Sequence, residues 1–276
     1  MPLTPSEREH FKMPEKRCHA VWTGDLLEVT YLNPHKQYRR PGKRGIVKGF
    51  TPAARLRMLR TVASICWDDM KRGVFITLTY PDEVATRTNK DRTRDKFLFL
   101  RYIENYLGKQ IGALWRIEWE KRKSGTRTGQ YTAHVHMLCF NCPFIPKEVV
   151  RTGWRSALGA DGPLITWIDG MKDGRKAARY VSKYCAKAAE KSVLDNASYL
   201  NISGRHWGVH RRDLIPFAWR IHLPLLNDED IALCENLAST VFAYFARGTG
   251  VGFSVFGTNA GKVGAELFQR MIDKHG

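Results

Sequence analysis

Two runs of alternating apolar and polar residues, joined by a short polar segment, constrain the fold of this chain more than any other feature. The first run is Ala113–Glu120 and the second is Tyr131–Phe140. The segment between them, KRKSGTRTGQ, is basic and contains two glycines. Alternation with a period of two is typical of half-buried strands, and a Gly-containing polar segment between two such runs predicts a β-hairpin.

Other elements are predicted on both sides of this hairpin. Val74–Tyr80 is expected to be a buried strand, because β-branched and aromatic residues fill it and Pro81 ends it. Helices are predicted at 51–70, 91–107, 146–158 and 173–190, and a further short strand is predicted at 163–168. This order predicts an α+β fold, with a central antiparallel sheet of about five strands flanked by helices.

The ends of the chain are expected to be extensions of this domain. Residues 1–50 are predicted to be basic and irregular, because Pro and Gly interrupt them repeatedly. Residues 221–276 are predicted to hold a helix at 227–246 followed by a Gly-rich segment, which leaves 51–220 as the central domain. The sequence GTNAGK at 257–262 is not a phosphate loop, because Phe256 and Val263 occupy positions that require Gly and Ser or Thr.

The chain carries 45 basic and 27 acidic residues, a net charge of +18. A surface this basic favours a polyanion, most often nucleic acid. No apolar run approaches the ~20 residues of a membrane span, and the first residues do not resemble a signal peptide. We therefore expect a cytoplasmic protein with no membrane partner. With no secretory signal, its six cysteines are expected to be reduced thiols. The CxxC pair Cys139 and Cys142 lacks the second pair that a zinc site needs, so we expect its role to be structural.

His134 and His136 are the first candidates for chemistry. They are two residues apart in a predicted strand, so both face the same side. Glu118 and Glu120 lie on the matching face of the partner strand, and two imidazoles with one carboxylate suit Mn²⁺ or Mg²⁺. We prefer Glu118 because it lies deeper in the apolar part of its strand, and Glu120 remains the alternative. The simplest competing interpretation is that the histidines are ordinary surface residues.

The predicted helix at 173–190 contains the other candidates. Tyr180 and Tyr184 are four residues apart, so they share one face of the helix. Lys183 and Lys187 follow the two tyrosines by three residues each. A tyrosine beside a metal-bound phosphate and flanked by ammonium groups is equipped for phosphoryl attack. An amphipathic helix with tyrosines at the edge of the core is the alternative.

Three motifs therefore follow one another: ITLTYP at 76–81, HVHML at 134–138 and YVSKYCAK at 180–187. In this order they resemble the motifs of the HUH endonucleases, specifically the two-tyrosine rolling-circle replication initiators of bacteriophages and plasmids. The resemblance covers roughly residues 70–220 and also includes WRIEWEKR at 115–122 and GRHWGVH at 204–210. It implies an RRM-like HUH fold for the central domain.

The resemblance also implies roles for individual residues. The metal ligands would be His134, His136 and Glu118. The nucleophiles would be Tyr180 and Tyr184, and Lys183 or Lys187 would assist at the phosphate. Basic residues near the motifs are candidates for contact with DNA: Arg122, Lys123, Arg127, Arg179 and Arg205.

The implied activity is the nicking of single-stranded DNA at an origin hairpin in a bacterial host cell. The product would be a 5′-phosphotyrosine and a free 3′-hydroxyl that primes synthesis, and the displaced strand would later be rejoined. A host helicase and a host polymerase would be partners. Three tryptophans are candidates for stacking on bases, with core packing as the alternative: Trp115, Trp119 and Trp207.

Two further classes of function stay open. A transposase or a plasmid relaxase of the same superfamily would carry similar motifs. A non-catalytic nucleic-acid-binding protein with an RRM-like sheet would explain the charge and the order of elements. That second class does not explain why the paired histidines, the glutamate on the partner strand and the two Tyr-x-x-Lys pairs occur together.

Overall fold

The computed structural model describes residues 18–31, 50–123, 126–162, 164–186, 205–223, 226–240, 243–245 and 252–275. The chain divides into two compact units. The central unit holds the described residues between 50 and 217, and the terminal unit holds 18–31 together with those from 218 onward. Each unit contains its own five-stranded antiparallel sheet, and the fold class is α+β.

The helices and strands follow one another in this order: β1 (Cys18–Thr23), β2 (Leu26–Tyr31), α1 (Pro52–Ala63), β3 (Gly73–Thr79), α2 (Asn89–Leu107), β4 (Gly112–Lys121), β5 (Tyr131–Phe140), α3 (Lys147–Leu158), β6 (Thr166–Met171), α4 (Gly174–Ala186), β7 (Trp207–His210), β8 (Ile221–Leu223), α5 (Asp228–Thr240), β9 (Ala243–Phe245), β10 (Gly252–Phe256) and α6 (Thr258–His275).

The sheet of the central unit has the strand order β6-β3-β5-β4-β7. The predicted hairpin forms its centre as β4 and β5, paired over their full lengths. One face of the sheet packs against α2 and α3, with Val135 and Trp154 buried between them. The opposite face packs against α1 and α4, with Leu138 and Val181 buried there. Successive side chains of β5 therefore pack into two different cores, one on each side of the sheet.

Local sequence sets the ends of two helices in this unit. Thr51 caps α1, and its side-chain oxygen accepts a hydrogen bond from the backbone N–H of Ala54. Gly108 ends α2 in the left-handed conformation at φ 64°, which favours glycine. Helix α1 ends at Ala63 rather than near residue 70, so that part of the prediction was wrong. Beyond it, Ile65 pairs with Phe217 instead, a contact that local helix propensity does not reveal.

The terminal unit corrects two predictions about the ends of the chain. The segment predicted to be irregular contains β1 and β2, which pair through a tight turn at Gly24. The helix predicted at 227–246 ends at Thr240, and β9, β10 and α6 follow it. The sheet has the order β8-β1-β2-β10-β9, so its strands come from both ends of the sequence. None of the helices in the described ranges is long and apolar enough to cross a membrane.

Candidate active site

The register of β3, β4 and β5 places the two histidines on the face of the sheet that packs against α1 and α4. His134 lies directly between Glu118 on β4 and Thr79 on β3. His136 lies directly between Arg116 on β4 and Thr77 on β3. Because residues that face each other across antiparallel strands point to the same side, these two rows of side chains share one surface.

Two threonine hydroxyls hold the imidazole rings. Oγ1 of Thr77 lies 3.0 Å from Nδ1 of His136, and Oγ1 of Thr79 lies 3.0 Å from Nδ1 of His134. The two rings are nearly parallel, with 14° between their planes and 6.3 Å between their centroids. When Nδ1–H donates to the threonine, Nε2 carries the lone pair, and this is the arrangement that histidine metal ligands usually have.

Glu118 is the buried carboxylate of this surface. Its side chain is 6% exposed, and Oε2 lies 3.3 Å from Nε2 of His136. Neighbouring ligand atoms of an octahedral site with bonds of about 2.1 Å lie about 3 Å apart, so this pair has a spacing that a divalent cation can bridge. Glu120 is exposed and faces Thr132. Among the side chains that the structure describes, no three His, Cys, Asp or Glu residues are close enough to hold an ion as they stand.

Burial controls the protonation of His134. Removal from water lowers the pKa of this imidazole to about 4, and the negative charge of Glu120 opposes that shift more strongly than the charge of Glu118 does. The ring is therefore neutral at pH 7, and the neutral ring is the form that binds metals. Two imidazoles and one carboxylate are side chains of the kinds that bind divalent cations.

Phe75 connects this surface to the tyrosine helix. Its ring lies edge-on to Tyr180, with 4.5 Å between the centroids, and its centroid is 6.0 Å from that of His136. Tyr180 is half-buried against the same apolar cluster that contains Phe75 and Val181. The structure therefore brings Tyr180 and His136 close to the same phenylalanine ring, although they are far apart in sequence.

The other residues of the tyrosine helix are described less completely. Lys183 is exposed, and its Nζ lies 5.9 Å from the centroid of the Tyr180 ring. The backbone of Tyr184 lies in α4, but its side chain is outside the described residues. Lys187 also lies outside them. The hypotheses about Tyr184 and Lys187 stay predictions.

Arg116 is a residue of this site that the sequence analysis missed. Its side chain is 3% exposed, its guanidinium carbon lies 4.3 Å from the centroid of the Phe50 ring, and it faces His136 across the strands. Arg116 and His136 line one narrow crevice together with Met58 and Val181. A guanidinium stays charged when buried, so it places a positive charge beside the histidines. The period of two from Glu118 was the pattern that could have revealed it.

The five basic residues proposed for contact with DNA do not share one environment. Arg122 is half-buried and engaged: its Nε lies 2.8 Å from Oδ1 of Asp82, and its Nη2 donates to the carbonyl oxygen of Tyr80. Burial lowers the pKa of this guanidinium, and the charge of Asp82 opposes the shift. Arg127 is half-buried. The remaining three are exposed: Lys123, Arg179 and Arg205.

The three tryptophans named as candidates for base stacking pack mainly against other side chains of the protein. Trp115 is buried under Lys96, and the Arg92 guanidinium carbon lies 4.5 Å from the Trp119 centroid. Trp207 is half-buried against the core that contains Phe75. Cys139 and Cys142 are buried free thiols, and burial raises the pKa of both. This agrees with their expected structural role.

A family comparison adds an independent observation. Residues 73–189 match the family model of the replication-associated protein ORF2/G2P. The matched segment begins with β3 and contains the histidine strand and the tyrosine helix, and it is less than half of the chain. Searches of the curated proteins and of the solved structures found no match. The ORF2/G2P match is consistent with a role in DNA replication.

Proposed function

We propose that this chain is a rolling-circle replication initiator that nicks single-stranded origin DNA by tyrosine attack. The observation that carries the proposal is the position of Phe75, whose ring contacts both Tyr180 and the His136 ring. A nucleophile and a ligand set on the same face of one sheet are what such a reaction needs. The match to replication-associated proteins supports the same conclusion.

The cation site would use His134, His136 and Glu118, held by the threonines of β3. Glu120 remains a second carboxylate near His134. A bound Mn²⁺ or Mg²⁺ would withdraw charge from the oxygens of the scissile phosphate. Arg116 adds a fixed positive charge on the same surface, facing His136.

The covalent step is a transesterification. The Tyr180 oxygen attacks the phosphorus, the new O–P bond forms, and the bond from phosphorus to the 3′-oxygen breaks. The tyrosine proton is released, and the departing 3′-oxygen takes up a proton to become a hydroxyl. Lys183 lies beside the tyrosine and offsets charge that develops during the attack. Tyr184, one helical turn away, is the proposed second nucleophile for cutting the regenerated origin.

The expected substrate is a single-stranded segment at an origin hairpin, drawn to the chain by its net charge of +18. A host polymerase would extend the free 3′-hydroxyl, and a host helicase would unwind the duplex ahead of it. We place this activity in the cytoplasm of a bacterial host.

The test is a search for a covalent adduct. The protein is incubated with circular single-stranded phage DNA and Mn²⁺, and the products are separated on a denaturing gel. We expect an adduct with wild type and with the control Tyr106→Phe, whose ring is exposed on α2. The double variant Tyr180→Phe, Tyr184→Phe should form none. Each single variant then assigns first cleavage or strand closure to one tyrosine.

Two results would contradict the proposal. An adduct that persists in the double variant would mean that neither tyrosine is the nucleophile. DNA binding without an adduct at any metal concentration would favour the non-catalytic nucleic-acid-binding class.

A further inference from the structure

Trp167 is an exposed aromatic residue on β6, the edge strand next to β3. It faces Thr77, which in turn faces His136. The row continues through Arg116 to Trp207 on the opposite edge strand. Because cross-strand neighbours point to the same side, Trp167 lies on the same surface as the two histidines.

Trp167 is exposed although its side chain is large and apolar. Its side chain is 44% exposed, whereas Trp207 at the other end of the row is half-buried against the core. Ile165, which immediately precedes β6, is 65% exposed. Large apolar side chains that stay exposed beside a site are typical of binding surfaces.

Trp167 is also connected to the nucleophile. Its ring lies 6.1 Å from the Phe75 centroid, with 64° between the planes, and the same phenylalanine contacts Tyr180. The rings of Trp167, Tyr180 and His136 thus all lie against the same phenylalanine ring. A ligand lying on Trp167 would therefore sit next to the reacting phosphate.

The charges around β6 favour contact of this edge strand with the bases of DNA over contact with its phosphates. Asp169, two residues beyond Trp167 and exposed on the same strand, repels phosphates. The exposed cations Arg179 and Lys183 lie on α4 instead. Phosphates are therefore drawn toward the helix, and the uncharged bases are left to the edge strand.

We propose that Trp167 binds a nucleobase of single-stranded DNA by stacking, and so positions the strand for attack at the neighbouring phosphate. This rests on the proposed function for the identity of the ligand. Every base has a π-face, so the contact tolerates any sequence. Trp167 is a positioning residue that fixes the register of the strand relative to Tyr180.

Binding without chemistry tests this contact. Fluorescence anisotropy of labelled oligothymidylate is measured without divalent metal, for wild type, Trp167→Ala, Trp167→Phe and Trp219→Ala. Trp219 is 90% exposed in the terminal unit and serves as the matched control. We expect the dissociation constant to rise roughly 5- to 150-fold for Trp167→Ala, to stay near wild type for Trp167→Phe, and to be unchanged for Trp219→Ala.

A second probe separates stacking from a structural defect. An abasic oligomer of the same length keeps the phosphates but has no bases, so wild type and Trp167→Ala should bind it equally. The slope of log Kd against log salt should also be unchanged, because stacking releases no counterions. The proposal would be overturned if Trp167→Ala bound oligothymidylate as tightly as wild type does. It would also be overturned if Trp167→Ala lost as much affinity for the abasic oligomer as for oligothymidylate.

The outcome is independent of nicking. A protein that never forms an adduct but shows this pattern would refute the proposed reaction and leave the stacking contact in place. If wild type forms the adduct while Trp167→Ala binds oligothymidylate as tightly as wild type does, the stacking contact is refuted and the proposed reaction stands.

Discussion

Nδ1 of His136 lies 3.0 Å from Oγ1 of Thr77, which faces it directly on the neighbouring strand. Two residues further along β3, Thr79 faces His134 in the same way, and Oγ1 of Thr79 lies 3.0 Å from Nδ1 of His134. A threonine in a strand keeps its hydroxyl in few positions because β-branching restricts χ1. Each imidazole is therefore held in one orientation by a rigid neighbour.

Thr77→Val should weaken metal binding, because it keeps the shape of the side chain and removes the hydroxyl that orients His136. We expect Mn²⁺ affinity to fall about 10- to 100-fold, as measured by isothermal titration calorimetry. The control is Thr93→Val, whose hydroxyl donates to the Asn89 carbonyl oxygen in α2. Equal Mn²⁺ affinity in wild type and Thr77→Val would show that the hydroxyl does not support a metal ligand.

Phe75→Leu should slow adduct formation without abolishing DNA binding, since Phe75 fixes the position of Tyr180. A shift of the nucleophile by about 1 Å costs up to about 100-fold in rate, so we expect a loss of roughly 10- to 100-fold. Phe99→Leu, buried in the core on the opposite face, is the matched control. Both variants should lose about 1 kcal/mol of stability. A similar loss of adduct rate in both would attribute the effect to stability alone.

Lys96→Met should stabilise the protein at neutral pH. Lys96 is 1% exposed, and its Nζ lies 2.9 Å from the Trp115 ring centroid, with no hydrogen-bond partner among the described residues. Burial, together with the smaller effect of the nearby charge of Arg205, lowers the pKa of this amine from 10.5 to about 6. The unfolded chain therefore binds more protons between those two values, so wild-type stability should rise with pH across that window.

Urea unfolding at several pH values measures this effect. Lys96→Met lacks the titrating amine, so its advantage over wild type should be largest at and below about pH 6, at most about 6 kcal/mol. The difference in the free energy of unfolding between Lys96→Met and wild type should narrow by about 1.4 kcal/mol per pH unit toward pH 10. Lys90→Met, exposed on the same helix, should show no such trend. A gap that does not change with pH would mean that Lys96 is not neutral in the folded state.

Gly174→Ala should displace the tyrosine helix. A Cβ at Gly174, the first residue of α4, would clash with the backbone oxygen of Trp67, so the backbone must move. We expect a loss of about 1–3 kcal/mol in the free energy of unfolding, together with slower adduct formation. Gly108→Ala is the control, because its φ of 64° makes alanine costly while no atom crowds the new Cβ. Gly108→Ala should lower the free energy of unfolding, but its rate of adduct formation per folded molecule should equal that of wild type.

Local sequence was enough to predict the centre of the fold. The hairpin of β4 and β5, the strand β3 and the helix α2 with its Gly108 end all follow from periodicity, turn residues and capping. Each of these depends on neighbours within a few residues, which is the range over which backbone propensity acts. The alternation also predicted that His134 and His136 share one face, because strand geometry alone fixes that relation.

The remaining features depend on partners distant in sequence. Strands β1, β2 and β10 were not predicted, because they become strands only by pairing with one another in a sheet that joins both ends of the chain. Arg116 and Trp167 enter the site through their register with His136 and Thr77, and one residue of slip would place either of them on the opposite face.

The sequence by itself determined which residues are candidates for the chemistry: two histidines on one strand face, a glutamate on the partner strand and tyrosines on one helix. Only the tertiary structure decided that Phe75 joins the tyrosine helix to the histidine strand. It also decided that Trp115 is core while Trp167 is exposed. The physical reason is that periodicity assigns a side chain to a face, whereas burial depends on which helix covers that face.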